Sequence, residues 1–167
     1  MFSRTTPYAT WKSPINAVDI TKGANSTAVL LVDSSTSERR RNELVHTTSK
    51  RDIVGPGWNV RTGVQEYSGA MAIVRDGVAY FSHLDDGSVY RVEVGEKAPT
   101  PVDITPKGKP FRFAAFEVHP LHSELLLAVL EDHPKDVPSE IVNTLVVINL
   151  AWLQWNRPDM PWNGAEV

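Results

Sequence analysis

The chain has 167 residues, 17 Lys+Arg against 20 Asp+Glu, a formal net charge of −3 and 41% apolar residues. That length suffices for a buried core, the composition excludes global disorder, and the mild negative charge argues against nucleic-acid binding through phosphate contacts. No cysteine is present, which excludes a disulfide framework, a thiolate metal site and a cysteine nucleophile.

Residues 1–25 read as an N-terminal extended segment. Arg4, Thr5, Thr6, Pro7 and Lys12 leave no apolar core for a secretory signal, so the expected location is the cytoplasm. The run Arg39-Arg40-Arg41, flanked by Glu38 and Glu43, reads as a solvated turn. From Gly69 onward the periodicity is that of strands. Gly69 to Val74 is apolar, Arg75-Asp76-Gly77 interrupts it, and Val78-Ala79-Tyr80-Phe81 follows. Asp76-Gly77 is a hairpin signal, because both central positions of a type I′ turn need positive φ. Asp85-Asp86-Gly87 is a second turn signal. After it, Val89, Arg91 and Glu93 alternate with Tyr90, Val92 and Val94, the period of a strand. Pro99, Pro101 and Pro106 then mark an edge or loop. Residues 69–105 are therefore predicted as a meander of three to four antiparallel strands.

A second unit follows. Phe111 to Val118 alternates loosely and ends at His119-Pro120; Glu124 to Leu130 is a buried strand; Glu131 to Pro138 is a polar turn; Ile141 to Ile148 is a β-branched strand. Strands beginning at Val78 and Leu125 stand 47 residues apart. A four-stranded repeat of roughly 40–50 residues is the signature of a β-propeller blade. The longest apolar run, Leu125 to Leu130, is far short of the ~18 residues of a membrane span. One stretch is anomalous. Val142 to Trp155 offers strand formers with almost no turn residues, and 14 residues is long for one strand. Either the chain bends there without the usual residues, or a connecting segment is missing.

Tyr8-Ala9-Thr10-Trp11-Lys12-Ser13-Pro14-Ile15 and Trp58-Asn59-Val60-Arg61-Thr62-Gly63-Val64-Gln65-Glu66-Tyr67-Ser68-Gly69 carry a resemblance to a known family. So do Val78-Ala79-Tyr80-Phe81-Ser82, Glu131-Asp132-His133, Val142-Asn143-Thr144-Leu145-Val146 and Trp155-Asn156-Arg157-Pro158-Asp159-Met160-Pro161-Trp162. Together they resemble the N-terminal propeller of prolyl oligopeptidase-family serine peptidases of the dipeptidyl or acylaminoacyl peptidase type. Gln65 and Ser68 depart from the family's usual His and Gly. The resemblance implies an all-β partial propeller of about two to three blades over 26–167, not a closed ring. It implies a deletion junction at Asn149/Leu150, where relatives carry about one further blade, and a shortened hairpin between Asp33 and Asn42. It also implies that the natural partners are an α/β-hydrolase domain, which carries the Ser, Asp and His, and peptide substrates whose access the propeller gates.

The chain itself lacks the Gly-x-Ser-x-Gly elbow that such a nucleophile needs. Ser82, His83 and Ser88 fall on or beside hairpin strands. No catalytic, cofactor-binding or metal residue is therefore expected. His119 and His122, with Glu117, Glu124 and Asp132 nearby, read as an exposed turn rather than three convergent metal ligands. Arg61, Glu66 and Tyr67 are the candidates for an inter-blade or domain-interface contact. The tryptophans read as packing residues, since only Arg157 is basic near Trp152, Trp155 and Trp162. Two rival readings stand beside the peptidase fragment. One is a freestanding β-domain that binds proteins, or itself, through open strand edges. The other is a small hydrolase using carboxylates such as Glu117 and Asp132.

Overall fold

The computed structural model describes residues 17–18, 28–34, 41–46, 48–64, 70–95, 99–105, 111–133, 141–151 and 154–156. They contain eleven strands and no helix. Strands β1 (Ala17–Val18), β2 (Ala28–Ser34) and β3 (Arg41–His46) form a first antiparallel sheet in that order. An isolated bridge from Val45 to Asp52 extends it by one rung. Strands β4 (Ala72–Arg75), β5 (Val78–Ser82), β6 (Val89–Glu93) and β7 (Val102–Asp103) form the second. Strands β8 (Phe111–Val118), β9 (Leu125–Asp132), β10 (Val142–Asn149) and β11 (Gln154–Asn156) form the third. Each sheet is a sequential meander and none closes on itself. The first strands lie side by side, β1 beside β4 and β4 beside β8, so the sheets succeed one another along a common line. Among the described residues no helix is long and apolar enough to cross a membrane.

The β4–β5 turn has the predicted chemistry. Asp76 sits at φ 51° and Gly77 at φ 77°, and Arg75 pairs with Val78 across them. The second turn signal forms a longer loop between Ser82 and Val89. Gly87 takes φ 72°, its N–H donates to the His83 carbonyl at 2.9 Å, and Asp86 Oδ1 accepts the Ser88 N–H at 2.8 Å. The proline-flanked Val102–Asp103 is the short outer strand β7 of its sheet. Starts of β5 and β9 keep the 47-residue spacing, and each is the second strand of a four-stranded sheet.

Two apolar cores separate the three sheets. Leu44, Ile53, Val54 and Val60 pack against Ala72, Val74, Ala79, Phe81, Val92 and Val94 of the second sheet. On its other side, Tyr80, Val89 and Ile104 pack against Phe111, Phe113, Phe116, Val118, Leu126, Ala128, Leu130, Val146 and Ile148 of the third. The middle sheet is thus covered on both faces. This explains why β5 reads as a continuous apolar run. Trp58 packs edge-on to Phe81 at 6.0 Å and to Tyr90 at 4.7 Å, which gives that tryptophan the expected packing role.

One local reading changes, and one stretch with two open readings takes the bend. Strand β9 runs on through Glu131 and Asp132, which the sequence placed in a polar turn; Glu131 pairs with Arg112 on one side and Asn143 on the other. Ladder pairing on both sides outweighs the local polarity of Glu131-Asp132-His133. The anomalous run after Val142 bends in place. Leu150 and Ala151 turn, Asn149 Oδ1 accepts the Ala151 N–H at 3.0 Å, and β10 returns as β11 with Asn149 opposite Gln154. The Asx-type bond substitutes for turn residues.

Candidate functional site

The region best defined by polar geometry is the seam between the second and third sheets. Strand β8 carries a β-bulge between Ala114 and Glu117, and Ala115 adopts φ 54° there. The bulge redirects the backbone, and the Ala115 N–H donates to the Ala70 carbonyl at 2.9 Å. Just before it, the Phe113 carbonyl accepts two side-chain hydroxyls, Ser82 Oγ–H and Thr62 Oγ1–H, each at 2.7 Å. Ser82 is 1% exposed. Arg112 then donates from Nη1 to the Gly63 carbonyl at 2.9 Å. A Cβ at Gly63 would lie 3.2 Å from Arg112 Cδ, so glycine is what allows the side chain to lie across the backbone.

Residues 58–64 form the strap that makes these contacts. It starts at the first sheet, where the Val60 N–H donates to the Asn42 carbonyl at 2.9 Å. It crosses the end of the second, where Val60 bridges His83 and the Leu84 N–H donates to the Asn59 carbonyl. It ends on the third, through Thr62 and Gly63. Within that stretch Val60, Thr62 and Gly63 make the contacts that join the sheets. Arg61 is exposed, and Glu66 and Tyr67 lie outside the described residues. Arg112 was not anticipated; its signal was a cation between two core phenylalanines, on the alternate face of an apolar strand.

A second polar group sits at the end of the third sheet. Glu131 is 0% exposed, and its Oε2 accepts from His133 Nε2 at 3.0 Å. Arg112 and Asn143 flank Glu131 in the ladder. This is a paired buried charge, which is structurally permitted only because it has partners.

The remaining sequence candidates do not converge on a reactive centre. Ser82 Oγ–H is committed to a carbonyl and is buried, whereas a nucleophilic serine is held by a base and open to substrate. His83 shares Nδ1 with the Asn59 backbone at 3.2 Å. His119 Nδ1 accepts the Leu121 and His122 N–H groups in the exposed β8–β9 loop, and His122 Nδ1 meets Glu124 Oε1 at 3.3 Å. Among the described residues no three His, Asp or Glu side chains form a metal-holding group. Asp132 pairs with Phe111 at one end of β8, and Glu117 is six residues along the same strand. At ~3.3 Å per residue the two carboxylates are roughly 20 Å apart, too far to act on one bond.

Two solved structures share this fold. Puromycin hydrolase matches with a TM-score of 0.63 and 23% identity over 88% of this chain. A Mycobacterium tuberculosis puromycin-hydrolyzing peptidase matches with a TM-score of 0.57 and 23% identity over 86%. The match spans 25% of either protein. The likeness to these two structures is one of fold. No family model matches the sequence, and no curated protein does.

Proposed function

We propose that the chain is a non-catalytic β-propeller portion of a prolyl oligopeptidase-like serine peptidase, with its three sheets as successive blades. The observation that carries this reading is the fold match, which takes in 88% of this chain and a quarter of puromycin hydrolase. Three sequential meanders, first strands adjacent and faces stacked, support the blade assignment. In such an enzyme these blades form part of the wall that admits short peptides to an α/β-hydrolase domain. The residues here supply rigidity to that wall: the strap of 58–64 ties three blades together, and the hydroxyls of Ser82 and Thr62 saturate the seam.

The reading is tested with a fluorophosphonate probe and with aminoacyl and acylaminoacyl chromogenic substrates. The 167-residue protein should neither be labelled nor turn over. Stoichiometric labelling of one serine would overturn it. Transcript sequencing across the codons for Asn149 and Leu150 tests the deletion junction: a blade-coding segment between them supports it, and contiguous abundant transcript removes it.

A further inference from the structure

Two Asp-Gly pairs occur in the chain, Asp76-Gly77 and Asp86-Gly87. The dipeptide is chemically fragile, because glycine puts no side chain between its own nitrogen and the carboxyl carbon before it. Both pairs lie in connections between strands, both glycines take positive φ and both aspartates are exposed. Their surroundings differ.

Asp86-Gly87 is tied down. Asp86 Oδ1 accepts the Ser88 N–H at 2.8 Å, and its Oδ2 accepts the Tyr90 O–H at 2.7 Å. The Gly87 N–H donates to the His83 carbonyl at 2.9 Å. A Cβ on Gly87 would stand 3.1 Å from the Phe111 carbonyl oxygen, so the backbone is crowded there as well. The nitrogen and the carboxyl that would have to meet are each held by another group.

Asp76-Gly77 is held at its edges and loose between them. Arg75 pairs with Val78, and the Gly77 carbonyl accepts the Val94 N–H at 2.9 Å. The Asp76 carboxylate, 57% exposed, meets Arg75 Nε at 3.5 Å, longer than a good hydrogen bond. The space beside Gly77 is open to 4 Å. The φ of 51° at Asp76 adds a route. Type I′ and II′ turns share positive φ at the first central residue and differ in sign at the second. Turning the peptide plane between Asp76 and Gly77 therefore leads from one hairpin turn to another. Asp76 keeps its φ, and Gly77 changes sign, which glycine does without steric cost. That rotation swings the Gly77 nitrogen toward Asp76 Cγ.

We propose that Asp76-Gly77 is a site of spontaneous isoaspartate formation in the folded protein, and that Asp86-Gly87 is protected from it. The Gly77 nitrogen bonds to Asp76 Cγ, the carboxyl hydroxyl leaves with the amide proton as water, and a five-membered succinimide forms. Water then adds to the ring. Cleavage at the original main-chain carbonyl leaves the chain running through Cγ, an isoaspartate with a free α-carboxylate; cleavage at Cγ restores aspartate. One water leaves and one returns. The extra main-chain methylene lengthens a two-residue turn and strains the Arg75–Val78 pair that closes it. The proposal goes beyond the peptidase reading and stands without it.

The test is ageing of the 167-residue protein at neutral pH and body temperature for several weeks, followed by digestion with endoproteinase Asp-N, which cuts before aspartate and not before isoaspartate. Mass spectrometry of peptides left uncut before Asp76 and before Asp86 counts the two sites separately. A carboxyl methyltransferase with labelled S-adenosylmethionine confirms the free α-carboxylate. Isoaspartate should accumulate faster at Asp76 than at Asp86 by on the order of 10- to 100-fold, because three hydrogen bonds must open first at the second site. Protein aged unfolded in urea should lose the contrast to within about twofold, since the two dipeptides are then alike. Y90F, which frees Asp86 Oδ2, should raise modification at Asp86 and leave Asp76 unchanged. Equal rates in the folded protein, no isoaspartate at Asp76, or a contrast that survives in urea would overturn the proposal.

Discussion

Ser82 and Phe113 lock the second sheet to the third: the Ser82 hydroxyl, 1% exposed, donates to the Phe113 carbonyl at 2.7 Å. Thr62 donates to the same oxygen from the strap at the same distance. A carbonyl has two lone pairs, so the donors share an acceptor without competing for one site. S82A should therefore cost about 1–3 kcal/mol, the range for losing a partner at a buried polar group. T62V should cost less, since it is only part-buried. The double variant should cost more than the sum, because only then does the carbonyl lose both hydroxyl donors. Urea midpoints of the four proteins give the coupling; strict additivity would mean that the two bonds do not share their acceptor energetically.

The Asp76-Gly77 turn offers a test free of packing. A Cβ at Gly77 would meet nothing within 4 Å, so any cost of substitution comes from φ 77° alone. G77V should destabilise by about 1–2 kcal/mol, the cost of forcing a β-branched residue into left-handed backbone. D76N should be neutral or slightly stabilising, because Asn-Gly suits the same turn. Thermal or urea melts of both variants read the difference, and equal losses in the two would point to the side chain of Asp76 rather than to φ.

That turn was legible in the sequence because its backbone demands a narrow set of residues. The same logic explains what was not. Ala115 takes φ 54° in the β8 bulge, yet alanine gives no local sign of it; the Ala70 carbonyl and the seam impose it. The bend at Leu150 and Ala151 had Asn149 as its one weak sign, and it is the Asn149 side chain that accepts the Ala151 N–H. Glu131 looked like loop because its neighbours are polar, and only its pairing with Arg112 and Asn143, 19 residues before and 12 after, makes it strand. At the seam the roles of Thr62 and Gly63 were not legible, since both come from a strand some 50 residues later.

Tyr90 gives the molecule an alkaline dependence. Burial, and then its hydrogen bond to Asp86 Oδ2 at 2.7 Å, push its hydroxyl up to about 12 from an ordinary 10.0. The folded state therefore holds this proton more tightly than the unfolded chain does. The stabilisation is complete below pH 10 and is lost as pH rises from there toward about 12. Phenolate absorbance, taken as wild type minus Y90F, should show a titration displaced above 10, and Y90F should weaken the loss of stability in that window. D86N should lower the midpoint while leaving the part due to burial. A difference titration centred at 10 would remove the effect.

The pair of Glu131 and His133 should show the asymmetry of buried charges. Glu131 is 0% exposed and His133 Nε2 lies 3.0 Å from its carboxylate. H133A leaves the carboxylate in place and takes away one of its partners, which at a buried polar group should cost on the order of 1–3 kcal/mol. E131Q keeps the shape and removes the charge, and should cost less. Combining the two should recover part of what H133A loses, because a neutral amide no longer needs the imidazole. Arg112 crosses the ladder from Glu131 but is anchored on the Gly63 carbonyl, so R112K should weaken the strap without reproducing the H133A loss. Urea midpoints of the four variants and the wild type decide the matter. An H133A loss that E131Q does not relieve would assign the effect to packing of the imidazole rather than to the charge it covers.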